Sequence, residues 1–162
     1  MRDVQAISEC SSSAVCVSCA IPLDARVFDQ SSFSVAPDPG AEVVLARFAL
    51  RPEYCGVLEY FSQYTDAWAT NPLEVETPDI EWSILANRRP LDPYLRWTHI
   101  LNPWGYGSFG IRLRLDESVL LEFVARGINV PPGTTRVEKV GGRLVGRYWY
   151  NPAYGDVARH GR

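Results

Sequence analysis

The sequence predicts an all-β chain: a single β-sandwich, jelly-roll-like, of about eight strands with an extended N-terminal arm. Three observations point there. Short segments in which apolar and polar residues alternate recur at intervals of roughly 8–14 residues, the spacing of sandwich strands. Turns rich in Pro, Gly, Asn and Asp separate them, and no segment shows a sustained helical period. Five Trp, eight Tyr and six Phe supply aromatic side chains of the kind that pack on pleated surfaces and at interfaces.

The 162 residues suit one domain with a proper core. The expected division is an N-terminal arm and first strand over 1–21, a sandwich over 22–155 and a flexible tail over 156–162. Residues 1–13 are small and polar, ending in Ser11-Ser12-Ser13. Residues 14–21 place Val15, Val17, Cys19 and Ile21 on one face of a candidate strand. The stretch 22–40 carries Pro22, Pro37, Pro39 and Gly40 and reads mostly as loop, with a short strand near 26–28. Residues 42–50 put Val44, Ala46, Phe48 and Leu50 on one side. Arg51-Pro52-Glu53 then makes either a hairpin turn or a switch between sheets before a strand over 54–64.

Residues 65–78 read as a long excursion containing Trp68. A strand over 79–86 follows, with Ile80, Trp82 and Ile84 alternating against Glu81 and Ser83. Asn87-Arg88-Arg89-Pro90 turns the chain, 95–101 is another strand candidate, and 102–110 is a glycine-rich turn. The sharpest alternation comes next: Ile111, Leu113 and Leu115 face one way, Arg112 and Arg114 the other. Asp116-Glu117 turns that strand into its return over 118–126. After the loop at Pro131-Pro132-Gly133, strands over 136–140 and 143–150 flank Gly141-Gly142, which reads as a two-residue hairpin turn. The excursions at 22–40 and 65–78 favour connections that switch sheets over a simple meander.

Charge and hydropathy narrow the function. Sixteen Lys and Arg, mostly Arg, are dispersed among 19 Asp and Glu, for a net charge of −3. With no basic stripe, nucleic acid is not expected as a partner. No apolar run approaches the roughly 18 residues of a membrane span, so a membrane is not expected either. The apolar stretch 14–21 is short and follows Asp3 and Glu9, where an export signal carries positive charge; no signal peptide is read.

Chemistry-bearing residues are sparse. Cys10, Cys16 and Cys19 have partial zinc spacing, but only Cys55 remains as a fourth ligand, and Cys16 and Cys19 point to opposite faces of a strand. Disulfides formed after leaving a reducing cell, or small packed thiols, are the other readings. His99 and His160 lack the neighbouring His that a jelly-roll metal enzyme uses. There is no Gly-x-Ser-x-Gly elbow, and the acidic pairs Glu74/Glu76 and Asp116/Glu117 read as loop and turn residues. The expectation is no enzyme and no cofactor. The best binding candidate is the loop bearing Trp104, Tyr106 and Phe109, whose aromatics either stack on a sugar ring or partner pocket or fold inward to close the sandwich. Tyr148, Trp149 and Tyr150 form a second aromatic run, as possible interface residues.

The stretches 101–110 and 141–155 (Gly-Gly-Arg-Leu-Val-Gly-Arg-Tyr-Trp-Tyr-Asn-Pro-Ala-Tyr-Gly), together with 80–91, resemble small β-sandwich accessory proteins of tailed-bacteriophage virions, which decorate capsids or dress the neck or collar. The resemblance covers about residues 41–155 and leaves out the cysteine-bearing arm. It implies a non-enzymatic virion structural protein, made in the host cytoplasm, that attaches to capsid or neck proteins as a homotrimer. A carbohydrate- or receptor-binding sandwich, with a glycan on the Trp104/Tyr106 loop, is the alternative.

Overall fold

The computed structural model describes residues 21–66, 79–91, 96–98, 108–129 and 136–151. Among them lie eight strands: β1 (Arg26–Val35), β2 (Glu42–Ala49), β3 (Tyr54–Thr65), β4 (Ile80–Ala86), β5 (Arg89–Pro90), β6 (Ser108–Leu115), β7 (Leu120–Gly127) and β8 (Lys139–Tyr150). They form two four-stranded sheets, β1-β8-β3-β6 and β2-β7-β4-β5. Every pairing is antiparallel. β1 pairs with β8, β2 with β7, β3 with β6 and β4 with β5. The chain is therefore one long hairpin, folded at the β4–β5 turn and rolled up so that successive rungs fall in alternate sheets. This is a jelly roll, within the all-β sandwich class the sequence predicts.

Local chemistry explains the turning points. Asn87 and Arg88 both have positive φ, 51° and 64°. Two consecutive left-handed residues make the hairpin turn whose twist matches that of the flanking strands, and Asn tolerates the conformation well. The Asn87 side chain also accepts a hydrogen bond from the Leu120 amide at 2.8 Å, and its own amide donates to the Leu120 carbonyl at 2.8 Å. The turn is thereby tied to β7. Between β2 and β3 the chain changes sheets, so Arg51-Pro52-Glu53 is the switch rather than a hairpin.

The interior is aromatic. Phe61, Trp82 and Phe123 have no exposed surface and Trp97 only 9%. Phe123 sits among the other three, with ring centroids 5.6 Å from Phe61, 5.7 Å from Trp82 and 6.1 Å from Trp97. Toward one end, Phe28 and Phe48 stack face to face across the two sheets at 3.9 Å. Leu45, Leu58, Ile80, Ile84, Leu121, Val140 and Leu144 fill the rest. In β6, Ile111 and Leu115 are buried, Leu113 partly so, and Arg112 and Arg114 are exposed, as alternation requires.

Four expectations are corrected. The stretch expected to be mostly loop contains β1, ten residues long. Its polar positions Gln30, Ser32 and Ser34 share the inward parity of buried Phe28, while Val27, Phe33 and Val35 are exposed on the other face, so past Phe28 the usual signal is reversed. In β2 the register shifts between Val44 and Ala46. The extra residue turns Leu45 inward (1% exposed) and leaves Val44 38% exposed, so the expected four-residue apolar face is broken by a bulge. Gly141-Gly142 is not a hairpin turn: β8 runs straight through both. Among the described glycines only Gly40 has positive φ, and crowding by side chains from both sheets explains the pair better. A β-carbon on Gly141 would meet the Phe33 ring at 2.5 Å, and one on Gly142 the Phe123 ring at 2.5 Å. Arg89 and Pro90 lie not in a turn but in β5, at the sheet edge where a proline is tolerated. Of the candidate strand over 95–101, residues 96–98 are described. There Trp97 exchanges two backbone hydrogen bonds with Trp82, at 2.8 and 3.1 Å. The arm, residues 14–20 of the candidate strand over 14–21, Trp68, the loop at 131–133 and the tail lie outside the described residues.

Two carboxylates fasten the entry to β8. Buried Asp79 accepts a hydrogen bond from the Val137 amide at 2.6 Å. Half-buried Asp66 accepts from the amides of exposed Glu138 and Lys139 at 3.0 and 3.1 Å. Asp79→Ala leaves the Val137 amide buried without its acceptor, an expected loss of about 1–3 kcal/mol. Asp66→Ala, whose amides can turn to water, should cost less. Urea denaturation of both variants checks this; equal losses would refute the burial argument.

Candidate functional site

The sites expected from sequence divide three ways. Trp104 and Tyr106, with Cys10, Cys16 and Cys19, lie outside the described residues. Phe109 lies in β6, opposite Phe61 in the β3 register. The run at the end of β8 is described in full. Tyr148 is half-buried and packs its ring against Phe48 at 5.5 Å and Tyr54 at 5.9 Å. It closes one end of the sandwich instead of presenting a face. Trp149, half-buried, stands opposite Cys55 in the β3 register. Tyr150 is half exposed and meets Tyr54 edge-on at 5.8 Å.

Cys55 is a buried free thiol. Burial pushes its pKa up to about 11, against smaller opposing effects such as the charge of Arg114. The folded protein therefore keeps the proton where an unfolded chain has begun to lose it. Its contribution to stability is intact below the ordinary thiol pKa and declines as pH rises from there toward the folded value. At pH 8 the native Cys55 should resist iodoacetamide over a time in which the urea-unfolded chain is fully alkylated; peptide mapping by mass spectrometry reads this. Equal labelling rates in both states would contradict the burial.

A surface the sequence reading missed lies on the outward face of β1-β8-β3. The register sets three rows across these strands. The first is Phe33, Gly141 and Tyr64; the second Ser31, Arg143 and Ser62; the third Asp29, Val145 and Tyr60. In the first row the two rings lean over the glycine edge to face, 5.3 Å apart and 81° between planes. Phe33 remains 72% exposed. From the second row Arg143 reaches Asp29 with a two-pronged contact, Nε donating to Oδ1 at 2.8 Å and Nη2 to Oδ2. The Arg143 hydrogen bonds hold the Asp29 carboxyl below its ordinary pKa, and Asp29 in turn raises that of Arg143. The stabilisation carried by this pair is present above the ordinary carboxylate pKa and fades as pH falls through the lowered one; being exposed, it is small. Together Asp29, Ser31, Phe33, Ser62, Tyr64 and Arg143 border an open hollow of about 560 Å³.

The signal for this surface was present in the parity of Val27, Asp29, Ser31, Phe33 and Val35, but proline-rich flanks hid the strand that carries it. Among the described residues no group of three or more His, Cys, Asp or Glu is placed to hold a metal ion. No helix among them is long and apolar enough to cross a membrane. The chain matches no protein-family model and no curated protein sequence.

Proposed function

We propose that this protein is a non-enzymatic assembly module, a jelly roll that attaches to capsid or neck proteins of a tailed-phage virion as a homotrimer. The observation that carries the assembly half of this reading is the outer strand of the first sheet. β1 has ten residues and lies at the sheet edge, and on its open side no strand pairs with it among the described residues. It contains no Pro and no Lys, and its register with β8 runs without a bulge. Those are the devices by which monomeric sheets block strand addition. Val27 and Val35 on this strand are 65% and 75% exposed. Its charges are Arg26 at the start and Asp29, which Arg143 of β8 neutralises, so the edge offers a partner both a row of backbone hydrogen bonds and apolar contact area. The aromatic filling of the interior supports the same reading, because it leaves binding to the outside. The phage-virion half rests on the resemblance of 101–110 and 141–155.

The test is sedimentation of the full chain, alone and after the double change Val27→Lys and Val35→Lys. The wild type should sediment as a trimer or larger and the variant as a folded monomer. Mass spectrometry of purified phage particles should find the chain. A wild type that is monomeric and missing from particles overturns the proposal.

A further inference from the structure

The geometry points to a glycan-binding site on the outward face of β1-β8-β3, in which Phe33 and Tyr64 carry one face of a neutral pyranose ring and the Asp29–Arg143 pair holds its hydroxyls. This goes beyond the assembly reading and does not depend on it. The site is also distinct from the Trp104/Tyr106 loop.

Its floor is set by Gly141. With no side chain there, the rings of β1 and β3 meet over β8 and form a single aromatic platform. Covering a glycine in this way is a structural device in its own right, and it accounts for one side of the Phe33 ring. It does not account for the 72% of that residue still open to water. A ring face carries negative charge density and attracts the weakly positive C–H edge of a ligand. A pyranose presents such C–H groups on one face and hydroxyls around its rim.

The polar half lies within reach. Successive rows on a strand face are about 7 Å apart. Arg143 stems from the row next to the platform, flanked by Ser31 and Ser62, and meets the Asp29 carboxylate of the row beyond; the pair and the two rings border the same hollow. A guanidinium has five N–H donors, and each carboxylate oxygen two lone pairs. The contacts with each other use only part of that capacity. What remains is a donor and an acceptor side by side, the pattern that two neighbouring hydroxyls, each both donor and acceptor, can satisfy together.

Charge selects among ligands. Within the hollow Asp29 and Arg143 cancel, which favours a neutral ligand there over a phosphate or an amine, with Lys139 on the other side of the two rings. Area argues against a protein at this spot. The apolar part is two rings with Val35 beside them, bounded by the serines and charges of the next two rows, whereas a stable protein interface takes about 800 Å² from each partner. A small neutral ligand with one apolar face suits the surface better.

The experiment uses the full chain on a printed array of neutral glycans, followed by titration of the best binder against ¹⁵N-labelled protein. Binding should shift amides within 29–33, 60–64 and 141–145. Phe33→Ala and Arg143→Gln should each weaken it about tenfold or more, the loss of roughly one good contact. Both residues are exposed, so both variants should fold, and two independent variants guard against a failure of one. Arg112→Gln, on a different strand, should bind as the wild type does. No neutral glycan bound, or binding unchanged in both variants, overturns the site. A change of assembly state in Phe33→Ala without any glycan effect would instead make this face a protein contact, which also overturns it. Assembly is measured on the same samples, so a failed glycan site leaves the assembly reading to be judged by Val27 and Val35.

Discussion

Phe123→Ala is expected to lower stability by about 3–5 kcal/mol, the range for truncating a buried aromatic. Phe123 has no exposed surface and lies within 5.6–6.1 Å, centroid to centroid, of Phe61, Trp82 and Trp97. Phe61 comes from β3 in one sheet and Trp82 from β4 in the other, beside Phe123 itself in β7, with Trp97 bridged to the Trp82 backbone. Removing the central ring therefore opens a void between the sheets, and stiff aromatic neighbours collapse into it poorly. Domains of this size hold roughly 5–15 kcal/mol in total, so the variant sits near the limit of folding. The loss corresponds to a melting temperature lower by about 6–20 °C at 2–4 °C per kcal/mol. Urea denaturation and calorimetry measure it. A loss under about 1 kcal/mol would mean that the four-ring cluster is not the centre of the core.

The same cluster shows what was legible in the sequence. Trp82 and Ile80 and Ile84 around it alternate without interruption, and β4 was read within a residue of its bounds. Residues 111–115 of β6 are equally plain, because their parity is strict, although 108–110 read as turn and belong to the strand; β7 is marked by the polar turn at Asp116-Glu117 that precedes it. What misled were places where parity is broken or inverted for a tertiary reason. The bulge at Leu45 reverses β2 midway, and nothing local announces it. β1 turns Val27, Phe33 and Val35 outward and puts Ser32 and Ser34 on the inward parity, so its alternation reads as loop composition. One of those serines has a role that only the tertiary structure reveals: the Ser32 hydroxyl donates to the Leu45 carbonyl at 2.6 Å, bridging from one sheet to the other. The candidate site was hidden for the same reason. Phe33, Tyr64 and Arg143 are 31 and 79 residues apart along the chain, counted from numbering. Only the pairing of β1 and β3 on either side of β8 brings them into adjacent rows.

Gly146→Ala is expected to be strongly destabilising for a single-methyl change, and it explains a glycine of the 141–155 motif that no turn requires. Sequence reading assigns Gly141 and Gly142 to a turn and Gly146 to a strand, and Gly146 does lie mid-strand in β8, between β1 and β3. A β-carbon there would come within 2.1 Å of the Val57 carbonyl oxygen and 2.6 Å of the Phe28 ring. The ring could swing aside only by leaving its stack with Phe48. The carbonyl belongs to the backbone of β3 and can move only if β3 and β8 part. Overpacking usually costs about 1–3 kcal/mol; here the obstacle is main chain, so the upper end or beyond is expected. Gly110 supplies the control, since nothing lies within 4 Å of a β-carbon placed on it. Gly110→Ala should be neutral or slightly stabilising, because it removes freedom from the unfolded chain without a clash. Combining Gly146→Ala with Phe28→Ala separates the two obstacles. If the carbonyl dominates, deleting the ring recovers nothing and adds its own loss; if the ring dominates, the double variant should be more stable than the sum of the single losses predicts. Denaturation midpoints of the four proteins decide it, and a Gly146→Ala variant as stable as Gly110→Ala would show that β8 does not pass between β1 and β3 at this spacing.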